Sequence, residues 1–406
     1  MTTTYSYKVR DNLGHLKTGT IEADNAPLVA ERLKAMGMVP IDIQKKSGMS
    51  FGKDVALFGL GPKVKVSDLA TFSRQFATMI HAGLPIVRSL AILSDQTPCK
   101  PLAAAIKTIR LDIERGASLA HALARHPKVF PRLYVAMARA GEAGGVLDGV
   151  LIQLADSLEK QVIMRRKIKS AMSYPIGVLS LVAVVVVAML LFVVPTFQGL
   201  FSSLGGKLPL LTQILVDASA FTQAYFPFMF LALILIVVVF LKWSRTTSGR
   251  KALDTFKLKV PLIGPLQQKA AIARFTRTLG VLLKSGVSIL GALEITSETV
   301  GNVVITEALN DVAQSVKVGE SMAGALERHP IFPPLVTQML SVGEETGAVD
   351  EMLTKVAEFY EEQVESTVES LTSILEPLLM VVLGGSVGTM VIALYMPMFE
   401  IIKLVK

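Results

Sequence analysis

Residues Gly116–Asp148 read GASLAHALARHPKVFPRLYVAMARAGEAGGVLD, and residues Gly319–Asp350 read GESMAGALERHPIFPPLVTQMLSVGEETGAVD. Gly116, Ser118, Ala120, Ala122, Leu123, Arg125, His126 and Pro127 recur as Gly319, Ser321, Ala323, Ala325, Leu326, Arg328, His329 and Pro330, at an offset of 203. One residue then drops out. Phe130, Pro131, Gly141, Glu142, Gly145 and Asp148 recur as Phe332, Pro333, Gly343, Glu344, Gly347 and Asp350, at an offset of 202. Self-similarity at a fixed spacing marks an internal duplication and decides how the rest of the chain is divided.

The duplication extends both ways. Phe72, Arg74, Gly83, Ile86, Leu90 and Ser94 match Phe275, Arg277, Gly286, Ile289, Leu293 and Ser297, and Pro175, Pro195 and Phe197 match Pro377, Pro397 and Phe399. Each copy runs from a polar, helix-patterned region into a hydrophobic segment. The expected fold class is an all-α polytopic membrane protein: two tandem helical-bundle repeats, three transmembrane helices and a small N-terminal α+β module.

Composition agrees with a membrane chain. Of 406 residues only 18% are charged, and the mean hydropathy is +0.52, both displaced from soluble averages. The net charge of +8 fits nucleic acid or an anionic membrane surface equally. The basic residues cluster beside the apolar segments, so the membrane is preferred and no nucleic-acid partner is expected. One cysteine, Cys99, excludes an internal disulfide and a thiolate zinc site. The N-terminal MTTTYSYKVRDNLGH has no apolar core, and no cleavable signal peptide is expected.

In chain order, residues 1–46 alternate with period two in YSYKVRD and TGTIEA around an Asn-Leu-Gly turn. They continue with a helix carrying Leu28, Leu33 and Met36 up to Gly37, then VPIDIQKK, a ββαβ pattern. Residues 47–66 read as a linker. The first bundle, 67–170, starts with a helix capped by Ser67, and Pro85 falls in the first turn of the next. Further helices fit 101–115, 118–125 and 131–142. Transmembrane helix 1 occupies 171–197, an extracytoplasmic loop 198–219, transmembrane helix 2 220–241, the second bundle 242–372, transmembrane helix 3 373–399 and an extracytoplasmic tail 400–406.

Within these spans, Ile176–Val194 contains 19 residues with Ser180 its sole polar member, Tyr225–Leu241 17 without a charge, and Pro377–Phe399 23 without a charge. About 20 apolar residues cross a bilayer. Lys160, Arg165, Arg166, Lys167 and Lys169 precede the first span, and Lys242, Arg245, Arg250 and Lys251 follow the second. The positive-inside rule therefore puts the N-terminus and both bundles in the cytoplasm and the C-terminus outside. Two parallel copies that each end outside need one extra crossing, which the unduplicated middle span supplies.

No phosphate-binding Gly-x-x-x-x-Gly-Lys-Ser/Thr occurs, nor a His-Glu-x-x-His, and no catalytic residue, cofactor or metal is expected. Gly384-Gly385-Ser386-Val387-Gly388 has the Gly-x-Ser-x-Gly spacing but lies inside a membrane segment, where a strand-to-helix nucleophile elbow cannot form. The same glycines let two helix backbones approach, within the chain or between chains. His126 and His329 each precede a proline at a helix end and suit local hydrogen bonding. Gly141, Glu142, Gly145 and Asp148, with Gly343, Glu344, Gly347 and Asp350, are the distinctive polar feature. They are expected as structural turns, the carboxylates lying beside the N-terminus of the following helix; a partner-contact surface is the second reading, and a cation or acid–base site the third. Glu376, just before Pro377, is a carboxylate at the bilayer boundary, expected to meet headgroup water or to pair with a cation on a neighbouring helix.

Taken together, the tandem repeat, Phe72-Ser73-Arg74-Gln75 and Phe275-Thr276-Arg277, Ala82-Gly83-Leu84-Pro85 and Ser285-Gly286-Val287-Ser288, the two Gly-Glu turns, Pro175 and Pro377, and the leading YSYKVRDNLGHLKTGTIEA resemble the general secretion pathway F family. These are the inner-membrane platform proteins of type IV pilus and type II secretion machines. Ser288 departs from the Pro85 position. The resemblance implies a non-enzymatic scaffold that a cytoplasmic hexameric assembly ATPase engages. Its further partners would be pilin or pseudopilin membrane helices, other inner-membrane components and copies of itself, and Glu376, Pro377, Gly384, Gly385 and Gly388 are candidates for helix packing or pilin contact. The pilus is preferred over the secretion system, and a small transporter is the remote alternative.

Overall fold

The computed structural model describes residues 3–10, 16–23, 26–36, 38–45, 63–203, 209–261 and 263–404. The expected Asn12-Leu13-Gly14 turn, the Gly37 helix stop and residues 47–62 of the linker lie outside them. The chain divides into two compact units, Met1–Lys63 and Val64–Lys406.

In the first unit, β1 (Thr3–Arg10), β2 (Leu16–Ala23), α1 (Ala26–Ala35) and β3 (Val39–Lys45) follow one another. The strands form an antiparallel sheet in the order β2-β1-β3. The pairing of β1 with β3 slips between Lys8 and Val9, where Pro40 faces Val9. Proline has no N–H to give to the ladder, so an edge strand with an irregularity is where it fits. Val9, Ala23, Val29 and Leu33 form the core. Met36 is 62% exposed instead of facing it.

The second unit is helical throughout its described residues. Its first repeat contains α2 (Val66–His81), α3 (Ile86–Gln96), α4 (Lys100–Glu114), α5 (Leu119–Ala124), α6 (Arg132–Gly144) and α7 (Leu147–Ala188). A π-turn, Met189–Val193, joins α7 to α8 (Val194–Ser203), and α9 (Leu210–Trp243) and α10 (Thr247–Lys259) follow. The second repeat is α11 (Ile263–Lys284), α12 (Ile289–Thr299), α13 (Val303–Lys317), α14 (Met322–Glu327), α15 (Pro334–Thr346) and α16 (Val349–Leu404).

The helices form where apolar residues fall on one face. On α4, Leu102, Ala105, Ile106 and Ile109 are buried, and on α13 Ile305, Ala308, Leu309 and Val312, the i, i+3, i+4, i+7 pattern twice. One continuous core draws on both repeats, from Leu69 to Tyr360. Repeat-equivalent aromatic pairs anchor it: Phe72 and Phe130 lie 5.9 Å apart, Phe275 and Phe332 5.5 Å.

Several expected boundaries shift. The start of α2 is at Val66, and Asp68, not Ser67, accepts the Lys65 N–H at 3.2 Å. Pro85 precedes the first residue of α3. Much of the expected loop 198–219 is helical, because α8 continues to Ser203 and α9 begins at Leu210. The first turns of α9 carry Thr212, Val216 and Ser219 as a buried stripe, so packing on other spans, not lipid exposure, sets that end.

Among the described residues three helices are long and apolar enough to cross a membrane: Leu147–Gly199, Leu210–Trp243 and Val349–Pro397. They meet through Val194, Val216 and Leu394.

Candidate functional site: the duplicated Gly-Glu elbow

The α6–α7 and α15–α16 corners are the same construction built twice. Gly141 and Gly343 are buried. A Cβ on Gly141 would stand 3.1 Å from Leu147 Cα and 3.2 Å from Val150 Cβ; on Gly343 it would stand 2.9 Å from Val349 Cα and 3.2 Å from Met352 Cγ. Only glycine lets the two helices close to this distance. Gly145 and Gly347 then reverse the chain at φ 68° and 73°, a left-handed conformation that costs other residues about 1–2 kcal/mol. The Val146 and Ala348 N–H groups donate back to Gly141 and Gly343 carbonyls at 3.0 Å each, satisfying carbonyls that a helix end leaves free.

The glutamates point backwards along the chain. Glu142 accepts the Leu119 N–H at 2.5 Å and the Ala120 N–H at 2.9 Å. Glu344 accepts those of Met322 at 2.7 Å and Ala323 at 3.3 Å. The expected partner was the following helix; the carboxylates instead hold the N-termini of the preceding six-residue helices α5 and α14, in each of which a serine supplies a further acceptor. Ser118 takes the His121 N–H at 3.2 Å and Ser321 the Gly324 N–H at 2.9 Å. Four first-turn N–H groups need acceptors, and a helix this short supplies little stability of its own.

Asp148 lies in the first turn of α7, where the Gly149 N–H holds its carboxyl below the usual carboxylate range; His81 Nδ1 stands 3.4 Å away. Asp350 occupies the matching turn of α16. Among the described residues no group of three metal-ligating side chains is brought together.

A second duplicated feature escaped the sequence reading. Arg74 on α2 donates Nε and Nη2 to the two oxygens of Glu159 on α7, both at 2.7 Å, and also meets Asp156. Arg277 on α11 donates the same two groups to Glu361 on α16, at 2.9 and 2.8 Å. These are bidentate, charge-assisted pairs. Glu159 holds the Arg74 guanidinium above its usual range, with Asp156 adding to it, and Arg74 holds the Glu159 carboxyl below its own. Glu159 and Glu361 keep the 202 offset. That constant spacing beside the noted Arg74/Arg277 match was the available signal.

From these elbows the chain runs unbroken into the membrane segments. The 42 residues of α7 pass through Pro175 and the 56 of α16 through Pro377 and Pro397, so that α7 is roughly 60 Å long. The two helices are tied by Lys160 to Glu361 at 3.6 Å and by Lys167 to Glu365. Leu266, Ala270, Val364, Val368 and Leu371 pack with Met164, Ile168 and Ala171 alongside.

The remaining expected residues lie apart from the elbows. Glu376 and Pro377 are exposed on α16. Nothing among the described residues lies within 4 Å of a Cβ placed on Gly384, Gly385 or Gly388, so these glycines make no close helix contact inside the chain. His329 Nε2 is 3.0 Å from Asp311, whereas His126 Nε2 is buried and unpartnered.

The model of the type II secretion system (T2SS) protein F family matches residues 72–195 and 275–397, and that of the type II secretion system protein F N-terminal domain matches residues 1–44. The chain is 42% identical to the type IV pilus assembly protein PilC of Myxococcus xanthus over 98% of this chain and 95% of the relative. It is 42% identical to the PilC of Thermus thermophilus over 98% of both, and 33% identical to the type II secretion system protein F of Vibrio cholerae over 98% of both. With two copies of the family's repeat and three apolar helices, this multi-pass membrane protein belongs to the type II secretion system protein F family.

Proposed function

We propose that this chain is the non-enzymatic inner-membrane platform of a type IV pilus assembly machine. In this reading it couples a cytoplasmic hexameric ATPase to the extraction of pilin subunits from the bilayer and their polymerisation. The observation that carries the reading is the pairing of full-length, 42% identity to two pilus assembly proteins with two bundles, each continuous with a membrane span through one helix. Such a helix carries displacement from bundle to bilayer through continuous helical backbone, with Pro175 and Pro377 at the junction. The second reading, the platform of a type II secretion system, draws on relatives at 33% identity.

The N-terminus and both bundles face the cytoplasm in this proposal and the C-terminus lies outside, as the flanking Lys and Arg residues support. The elbows are the ATPase-facing candidates. Glu142 and Glu344 are committed to backbone N–H groups, so the exposed Gly144, Glu345 and Thr346 beside them are the contact residues. The exposed Gly384 and Gly385 and the half-buried Gly388 would receive a pilin helix or a second copy, with Glu376 pairing to a cation carried by that helix.

The test is gene deletion and complementation in the native host, scored for filaments and for secreted proteins. It is joined to affinity purification of the complementing protein in detergent with Glu345→Lys as the surface variant. Loss of filaments on deletion, with an assembly ATPase retained by the wild type, is the expected result. Normal filaments with lost secretion would move the assignment to the secretion platform. Normal filaments and secretion together with no retained ATPase would end the platform reading.

A further inference from the structure

The prolines Pro195 and Pro397 are repeat equivalents, and each withdraws a backbone N–H from a membrane helix. In α16 the missing donor belongs to the Ala393 carbonyl, one turn earlier. That carbonyl accepts the Thr212 hydroxyl at 2.5 Å. In the first span, the Val194 N–H reaches back five residues to Met189, and Pro195 cannot continue the pattern to Leu190. The Leu190 carbonyl accepts the Ser219 hydroxyl at 2.5 Å, and its neighbour Leu191 accepts Gln223 Nε2 at 3.2 Å. All three donors lie on α9.

Their spacing is 7 and then 4 residues, which puts Thr212, Ser219 and Gln223 within about 40° of one line along a helix. In the hydrocarbon an unsatisfied carbonyl is costly, and a proline is tolerated where a neighbouring side chain replaces the donor. We propose that α9, the one span outside the duplication, is a clasp that joins the two repeat spans at their equivalent proline turns, with Thr212, Ser219 and Gln223 as its positioning residues. At the other end α9 is free: every residue from Tyr225 to Trp243 is exposed. The three spans are thus tied at the end remote from the bundles; toward the bundles α9 stands free while α7 and α16 are joined again through Lys160–Glu361 and Lys167–Glu365, and the clasped end is the fixed point about which the bundle-driven ends move. The clasp rests on the geometry of the spans and stands whichever machine the protein serves; only the fixed-point role depends on the platform reading.

The test is a double-mutant cycle on the full chain in mixed micelles, with detergent-driven unfolding followed by circular dichroism. Thr212→Val should raise the unfolding constant about threefold, typical of an interhelical side-chain hydrogen bond in a membrane protein. In a Pro397→Ala background it should have no effect, because the N–H restored at that position serves the Ala393 carbonyl. Gln223→Leu with Ser219→Ala against Pro195→Ala forms the second cycle. Thr222→Val is the control, since that hydroxyl bonds Ala218 within its own helix, and it should not couple to either proline. Equal effects of Thr212→Val in both backgrounds, or none in the native one, would overturn the clasp. Filament assembly scored on the same variants separates the readings: intact coupling with unaffected filaments leaves the clasp standing and removes the fixed point.

Discussion

Replacing Glu142 by alanine removes the acceptor for the Leu119 and Ala120 N–H groups, held at 2.5 and 2.9 Å. Both of those residues are buried, so water is a poor substitute. A hydrogen bond to a charged group contributes about 1.5–3 kcal/mol, and a carboxylate at a helix N-terminus gains about 0.3–1 kcal/mol from the dipole. Partial rehydration offsets some of this, which leaves a local loss of about 2 kcal/mol, or roughly 30-fold in the opening equilibrium of α5. Hydrogen–deuterium exchange by mass spectrometry on the detergent-purified protein reads this directly from peptides covering the start of α5. The duplication supplies an internal control. The start of α14, held by Glu344 at 2.7 and 3.3 Å, should keep its protection in Glu142→Ala and lose it in Glu344→Ala. Glu142→Gln should fall between, keeping an acceptor without the charge. Unchanged protection of α5 in Glu142→Ala, or equal loss in both repeats from a single substitution, would refute the assignment.

Gly141→Ala and Gly343→Ala should each destabilise their bundle by about 1–3 kcal/mol through overpacking, measured by thermal unfolding. Gly343 should suffer more, its Cβ meeting backbone at 2.9 Å against 3.1 Å. Arg277→Lys keeps the charge but loses the two-point bond to Glu361; a lowered unfolding temperature is expected, and none would show the pair to be incidental. Glu159, in the bundle half of α7, has its folded pKa depressed, by Arg74 first of all. The unfolded chain therefore takes up that proton at a higher pH, so its contribution is present above about pH 4.5 and is lost as pH falls through the folded value. In Glu159→Gln the acid limb of the unfolding midpoint should flatten. A flexible Gly-Ser insertion between the exposed Lys169 and Ser170 should leave bundle folding intact and abolish filament assembly; full assembly would remove the rigid-helix coupling.

The duplication, the helical repeats and the three apolar helices were legible because each rests on a local pattern or a constant spacing. The boundaries of α9 were not. Thr212, Asp217, Ser219 and Thr222 dilute its hydropathy, and only contact with the other spans explains why helix persists there. The direction of Glu142 was also hidden. Local capping rules look a few residues ahead, whereas its partners lie 23 and 22 residues behind. The same holds for Arg74 and Glu159, 85 residues apart. Tertiary partners at such separations leave no periodicity in one copy, and only the agreement of two offsets exposes them.

The duplicated polar residues divide the control of the long helices between them. The glycine pair fixes where α7 and α16 begin and how closely α6 and α15 approach. The Arg–Glu pair acts about two turns beyond the buried Leu151 and Leu353, and a two-point bond between planar groups constrains rotation about the helix axis more than a point charge does. Translation and rotation of each membrane helix are therefore set by the bundle that carries it. In the second copy the pair is the more enclosed: the Arg277 and Glu361 side chains are 11% and 22% exposed, against 37% and 39% for Arg74 and Glu159. Screening weakens exposed pairs more than enclosed ones, so raising the salt concentration should loosen α7 from its bundle before α16. Exchange rates of the α7 and α16 amides beside the two pairs, measured across a salt series, would show that order, and simultaneous loosening would mean that the apolar core alone sets the register of both helices.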